Sequence, residues 1–109
     1  MSERRAIQIV QIECQPEAED KLNKWLDGVH IPLLLKFKGL RKVTRCKALK
    51  KEREYLVISE FDSPEAQEAY QTSPELAAAR EEGKETWKVK GYEVKSRMQY
   101  EILNTRENP

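Results

Sequence analysis

The chain has 109 residues, and 20 Lys and Arg nearly balance 19 Asp and Glu, giving a formal net charge of +1. This length predicts one domain over residues 1–109, because a second core would have too few residues to fill it. Charges of both signs are interspersed, which argues against a nucleic-acid partner, and no run reaches the ~20 apolar residues of a membrane span. Leu, Ile, Val and Phe are only 24 of the residues, so the thin core favours burial against a second copy of the chain.

Cys14 and Cys46 are the two cysteines of the chain. They form neither a CxxC pair nor a zinc-binding spacing, and each falls in a predicted strand, where cysteine behaves as a small buried hydrophobe. The N-terminal residues also lack the apolar run of a signal peptide. We therefore expect a cytoplasmic protein with reduced thiols.

The first predicted elements are a strand over 6–14 and an amphipathic helix that starts at Pro16. The strand is rich in β-branched residues and is apolar on both faces at its middle, as a central strand would be. The helix has acidic residues in its first turn and one apolar stripe, formed by Ala18, Leu22, Trp25, Leu26 and Val29. Pro32 then predicts the start of a second, short helical segment, which Gly39 ends.

A hairpin follows the helical region. Strands over 40–49 and 55–61 flank a polar turn at 50–53 and would pair antiparallel. The second of these strands is again apolar on both sides at its centre. This pattern indicates that the hairpin contributes a central strand of the sheet.

Two helices and a last strand complete the chain. Ser63 and Ser73 each precede Pro-Glu, the pattern of an N-cap followed by proline at the first helical position. Helices are therefore predicted over about 64–71 and 74–86. The last strand, over 92–103, alternates in character, which would place Tyr92, Met98 and Tyr100 on one face.

This order of strand, helix, strand, strand, helix and strand predicts an α+β fold of the ferredoxin-like βαββαβ type. Four antiparallel strands would form one sheet with the helices on one face. The two central strands have apolar residues on both faces, because the neighbours of these residues point to the opposite face and are also apolar: Val10, Ile12, Leu56 and Ile58. Both faces of these strands therefore need burial. Two sheets packed face to face across a two-fold axis satisfy this need, and the expected assembly is a homodimeric α/β barrel.

The region around residues 20–50 resembles the EthD-like group of dimeric α/β-barrel proteins. In that group the first helix ends in Trp-x4-His-x-Pro and leads through a short helix to Gly-Leu or Gly-Phe, and this chain has Trp25, His30, Pro32, Gly39 and Leu40. The resemblance implies a ferredoxin-like homodimer with a small cavity between helices and sheet in each subunit. Relatives include cofactor-independent monooxygenases, muconolactone-type isomerases, polyketide-processing enzymes and members without known activity, so the fold does not fix the reaction.

His30 is the only histidine of the chain and the candidate catalytic residue. It lies about 100° around the helix from the centre of the apolar stripe, at the border between core and solvent. An imidazole titrates near neutral pH, so His30 at a cavity mouth would move a proton or bind a substrate carbonyl. The alternative is structural, because a histidine in a last helical turn is favoured by the helix dipole and bonds terminal carbonyls. Both interpretations stay open.

Trp25, Arg45, Tyr55 and Trp87 are the candidate substrate-binding residues. The two tryptophans would form core or cavity wall. Arg45, near the hairpin, would bind a carboxylate or stay exposed, and Tyr55 would line the pocket. One histidine and scattered carboxylates make no metal site, and no glycine-rich phosphate loop is present, so we expect neither a metal nor a cofactor.

The leading functional hypothesis is a small-molecule-binding homodimer that accepts a small apolar or aromatic metabolite. Chemistry in this site would be cofactor-free proton transfer, isomerisation or oxygenation, with His30 as acid, base or polar anchor. The alternative is a non-enzymatic dimer, structural, stress-associated or accessory, in which His30 only closes the helix. A roomy pocket with convergent polar groups favours the first hypothesis and a filled interior the second, so whether the protein is an enzyme stays open.

Overall fold

The computed structural model describes residues 4–109, and its four strands form one antiparallel sheet in the order β2-β3-β1-β4. The strands are β1 (Ala6–Cys14), β2 (Leu40–Lys47), β3 (Glu54–Phe61) and β4 (Tyr92–Glu101). The helices are α1 (Glu19–Trp25), α2 (Ile31–Leu34), α3 (Pro64–Tyr70) and α4 (Pro74–Thr86), and a 3₁₀ turn over Pro16–Ala18 precedes α1. The predicted α+β, ferredoxin-like βαββαβ order is confirmed.

β1 is a central strand because it pairs antiparallel with both β3 and β4. Ile9 lies opposite Ile58 on one side and opposite Met98 on the other. Alternate residues of β3, from Tyr55 to Phe61, are buried, and the residues between them are half-buried. This period of two shows that the helices cover one face of the sheet, while the opposite face is apolar and incompletely covered.

Residues 16–34 are helical throughout. A π turn over Leu26–His30 joins α1 to α2, and the Ile31 N–H donates to the carbonyl of Leu26, five residues earlier. Pro32 has no N–H to donate, and its ring would clash with the carbonyl four residues earlier in a regular α-helix. The wider π turn avoids this clash, so the helical backbone continues through the proline. The predicted second helical segment is present as α2, but it begins at Ile31, ends at Leu34 rather than at Gly39, and continues from the π turn without a break.

β4 contains a bulge that changes which of its side chains share a face. Its register with β1 shifts between Gln11 and Ile12. The extra residue reverses the alternation along the strand. Tyr92 therefore lies on the helix-covered face, whereas Met98 and Tyr100 lie on the opposite face. The prediction that these three residues share one face is wrong for this reason.

β2 and β4 end earlier than the sequence predicts. β2 stops at Lys47 and β4 at Glu101, two residues before the predicted ends. Leu49 and Leu103 are 99% and 86% exposed. An apolar residue extends a strand only where a neighbouring strand can pair with its backbone.

Ser63 and Ser73 begin α3 and α4 as N-caps, as predicted. Their Oγ atoms accept hydrogen bonds from the backbone N–H of Ala66 at 3.0 Å and of Leu76 at 3.1 Å. The Ser73 hydroxyl also donates to the Tyr70 carbonyl at 2.8 Å, so one buried hydroxyl ends α3 and starts α4. Each cap contributes about 1 kcal/mol.

The core on the helix-covered side consists of two clusters. The first surrounds the fully buried Leu22 and includes Trp25 and Trp87. The second surrounds the fully buried Phe61, beneath α3 and α4. The space between these two clusters positions the candidate site.

Candidate functional site

A cavity of about 810 Å³ lies on the helix-covered face of the sheet, between the two core clusters. Side chains of β1, β3 and β4 form its floor, and the π turn, α2 and α4 supply its walls. Both clusters line it, the first through Ile12, Trp25, Leu26, Val57 and Trp87 and the second through Leu34, Tyr70, Leu76 and Ala79. Small-molecule sites in proteins occupy about 300–1,000 Å³, so the cavity has the size of a ligand site.

Four rings form one wall of the cavity: Trp25, His30, Trp87 and Tyr92. The His30 imidazole stacks on Trp25 with ring centroids 4.4 Å apart and 26° between the planes. Trp87 meets Trp25 edge to face at 5.7 Å and meets Tyr92 at 5.0 Å. Stacked and edge-to-face pairs are the favourable aromatic arrangements, so these ring contacts stabilise the wall.

His30 is half-buried, and its Nδ1 is enclosed without a hydrogen-bond partner among the described residues. Burial lowers the pKa of the imidazole, the Glu82 carboxylate raises it and the Arg80 guanidinium lowers it. The ring is therefore neutral at neutral pH, the form that accepts a proton. Trp87 Nε1 is likewise enclosed and unpaired within residues 4–109, so two polar nitrogens of the cavity wall lack protein partners.

The His30 side chain does not close a helix. The backbone continues from the π turn directly into α2, and the imidazole makes no capping hydrogen bond there. The ring instead lies on Trp25 beside the cavity. The structural interpretation, in which His30 bonds terminal carbonyls, does not describe this geometry.

Glu82 on α4 positions the Trp25 ring. The Trp25 Nε1 donates to Glu82 Oε1 at 2.7 Å, and the Thr86 hydroxyl donates to the other carboxylate oxygen. A Cβ atom at Gly83 would lie 3.3 Å from the Trp25 ring, so the helix backbone approaches the indole closely at this point. Because His30 stacks on Trp25, the Glu82 carboxylate holds the surface on which the imidazole rests. Nothing in the sequence predicts this role for Glu82, whose only local signal is its four-residue spacing from Thr86.

Arg45 and Tyr55 lie in a separate polar cluster beside α1. Arg45 Nη1 donates to Asp27 Oδ2 at 3.0 Å, and Nη2 donates to the side-chain oxygen of Asn23. The Tyr55 hydroxyl donates to Glu19 at 2.5 Å, and the guanidinium carbon lies 5.4 Å from the Tyr55 ring centre. Arg45 therefore binds a carboxylate of its own chain.

The structure thus brings His30 together with Trp25 and Trp87 and keeps Arg45 and Tyr55 outside the cavity lining. The reason lies in the sheet. Arg45 belongs to the edge strand β2, whereas the cavity floor consists of β1, β3 and β4. Tyr55 lies at the start of β3, and its hydroxyl donates to Glu19 beside α1 instead of facing the cavity.

Other cavity residues come from elements that sequence reasoning did not connect. Ser59 of β3, Tyr70 of α3, Arg80 of α4 and Arg97 of β4 all line it. No local pattern links these four positions. The bulge in β4 also decides that Arg97 lies on the helix-covered face, opposite Val10.

Within residues 4–109, no helix is both long and apolar enough to cross a membrane. The same residues contain no group of three or more His, Cys, Asp or Glu side chains that could hold a metal ion. Cys14 and Cys46 are free thiols, and burial raises the pKa of Cys14.

Solved structures with the same fold identify the class of this protein. An EthD family protein from Bacillus halodurans has a TM-score of 0.65 and 18% identity, over 90% of this chain and 99% of that one. HapK from Hahella chejuensis has a TM-score of 0.72 and 13% identity, over 95% and 98%. A variant of SnoaB, a cofactor-independent oxygenase from Streptomyces nogalater, has a TM-score of 0.66 and 8% identity, over 96% and 97%. The protein is thus ferredoxin-like, and its resemblance to the EthD-like group is confirmed in fold.

The chain belongs to the family described as the domain of unknown function DUF4286, whose model matches residues 5–101. No curated protein matches the sequence. Family membership and fold therefore leave the chemistry to be argued from the site itself.

Proposed function

We propose that the protein binds a small apolar or aromatic metabolite in the cavity beside His30. The observation that carries this proposal is a cavity of about 810 Å³ with a wall of four rings, one of them a half-buried imidazole. Trp25 and Trp87 are the proposed binding walls. His30 is the proposed acid, base or polar anchor of a cofactor-free proton transfer, isomerisation or oxygenation, and the cofactor-independent oxygenase SnoaB shares the fold.

The neutral state of His30 suits the role of a base. Burial keeps the imidazole uncharged, and the stack on Trp25 fixes the plane of the ring. A ligand ring seated against this wall gains the apolar contacts of the tryptophans and a polar contact at its edge. Proton removal from such a ligand would leave a charged imidazolium beside the Glu82 carboxylate, which raises the pKa of His30 and so favours that state.

One specific observation favours a second candidate, a ligand-binding protein without catalysis. No carboxylate of the described chain accepts a hydrogen bond from His30, and Asp27, the nearest in sequence, pairs with Arg45 instead. Catalytic histidines are commonly oriented by such a partner. The two candidates differ in whether the bound compound is recovered unchanged.

Proton NMR of the single histidine tests binding directly. The His30 ring resonances are followed while phenol, catechol, indole and benzoate are added one at a time. We expect a saturable shift with at least one compound in the native protein. In Ser59→Leu, which fills the cavity floor, that shift is lost while the fold measured by circular dichroism is kept. Resonances that move with none of the compounds, or move equally in Ser59→Leu, contradict the proposed site.

The proposed assembly is a homodimer built through the open face of the sheet. Met98 and Tyr100 on this face are 49% and 47% exposed, and Ile7, Ile9 and Ile58 beside them are only half-buried. Burial of such a contiguous apolar face against a second copy is favourable. A cytoplasmic location completes the proposal and fits the two free thiols.

Light scattering tests the assembly. The native protein should have twice the chain mass of 12.8 kDa at micromolar concentration. Ile58→Lys places a charge in the middle of the open face and should give the mass of one chain. Glu68→Lys, an exposed position on α3 with the same introduced side chain, should stay dimeric. A monomeric native protein would refute the proposed interface.

A further inference from the structure

The mouth of the cavity has an excess of positive charge that the chain as a whole lacks. Five cations and one carboxylate are among the described residues that line it: Arg80, Lys84, Lys88, Lys90, Arg97 and Glu93. The formal net charge of the whole chain is only +1. The lining of the cavity therefore has a local excess of positive charge.

Arg80 and Arg97 have no carboxylate partner in the described part of the chain. The other arginines before the C-terminal tail each place a nitrogen within 3.3 Å of a carboxylate oxygen: Arg4, Arg5, Arg41, Arg45 and Arg53. Lys84 and Lys88 also pair with glutamates of their own segment, at 3.4 Å. The two free guanidinium groups thus stand out from a surface on which arginines are otherwise paired.

The two guanidinium groups line the same cavity although they belong to different elements. Tyr70 lines the same cavity, and its pKa is raised to about 12, with burial raising it and Arg80 and Arg97 both acting to lower it. Arg80 also acts on His30, and Arg97 on Tyr92. Both cations therefore line the same cavity as the aromatic wall.

We infer that the cavity takes an anionic aromatic ligand, whose ring lies on the Trp25–Trp87 wall and whose negative group is bound by Arg80 and Arg97. This inference rests on the proposed small-molecule site and names the chemical class of its ligand. A guanidinium presents a planar pair of N–H donors that matches a carboxylate or another oxyanion, and unpaired arginines are free to supply it. Both arginines are exposed and free to turn towards a negative group of the ligand, whereas a neutral ligand gains nothing from the two charges.

Two fluorescent probes of nearly the same shape test the inference. Anilinonaphthalene sulfonate has a negative group, and phenyl-naphthylamine is the same ring system without it. In the native protein we expect both dyes to bind saturably, the sulfonate more tightly. Arg80→Gln with Arg97→Gln should weaken the sulfonate about tenfold or more, the loss of a charge-assisted contact, and leave the neutral dye within about twofold.

A matched control separates local contact from general charge. Lys38→Gln with Arg106→Gln removes the same two charges from exposed positions outside the cavity lining, and it should leave both dyes unaffected. Ser59→Leu should reduce binding of both dyes, which places them in the cavity. Arg80→Lys with Arg97→Lys keeps the charges and should restore part of the sulfonate affinity.

The outcomes distinguish this inference from the proposed function. Binding of the neutral dye with no preference for the sulfonate, or an equal loss of sulfonate affinity in the control variant, overturns the anionic ligand and leaves the apolar site standing. Failure of both dyes to bind the native protein overturns the proposed site as well. Selective loss of the sulfonate in the arginine variant supports the inference.

Discussion

Removal of the Glu82 carboxylate should loosen the aromatic wall and lower the pKa of His30 at the same time. Glu82 Oε1 accepts the hydrogen bond from Trp25 Nε1 at 2.7 Å, and Trp25 is only 6% exposed. Glu82 also raises the pKa of His30, whose imidazole stacks on the same indole. Glu82→Ala removes both the acceptor and the charge, whereas Glu82→Gln keeps an oxygen acceptor and removes only the charge.

The magnitudes follow from the burial of the indole. A buried N–H left without a partner costs about 1–3 kcal/mol of stability, and the higher helix propensity of alanine offsets about a few tenths of a kcal/mol of this loss. We therefore expect Glu82→Ala to lower the free energy of unfolding by about 1–2.5 kcal/mol and Glu82→Gln by about 0.5–1 kcal/mol. For a domain of this size each kcal/mol corresponds to about 4–8 °C in Tm.

The assay combines unfolding with a titration of the single histidine. Thermal unfolding at fixed protein concentration gives the stability order, and proton NMR gives the His30 pKa, which should be lower in Glu82→Gln than in the native protein. Glu85→Gln, an exposed position one turn along α4, is the matched control and should change neither quantity. A Glu82→Ala variant as stable as the control, or an unchanged His30 pKa in Glu82→Gln, would refute the role given to this carboxylate.

Two further predictions concern packing and pH. Gly91→Ala should destabilise the protein by about 1–3 kcal/mol, because its Cβ would lie 2.6 Å from the Cβ of Ala18. In the control Gly28→Ala the added Cβ meets nothing within 4 Å, so this variant should be slightly more stable than the native protein. Urea unfolding measures both changes. Since burial lowers the His30 pKa, the unfolded chain binds the extra proton first, and stability should fall as pH drops below ~6.5 towards the folded pKa. His30→Gln should show a smaller fall in that window, and an identical pH profile would contradict a buried neutral imidazole.

Local signals in the sequence were enough to predict most of the fold. Ser63 and Ser73 cap their helices as the Ser-Pro-Glu pattern indicates, because a cap depends only on residues within one turn. β1 has its predicted bounds and its predicted central place in the sheet. The central place follows because side chains that are apolar on both faces favour a strand that is covered on both sides. Pro32 predicted the start of the short helix α2 to within one residue, but nothing in the sequence indicated the π turn that joins α2 to α1.

The sequence by itself thus determined the order of elements and the ferredoxin-like class. Only the tertiary structure decided which side chains share the cavity. Arg97 reached it because a bulge reversed the alternation of β4, and Arg45 was kept out because its strand lies at the far edge of the sheet. The periodicity of the sequence predicts which face of its own helix or strand a residue occupies. A site depends on how separate helices and strands pack together, and no local sequence pattern predicts that packing.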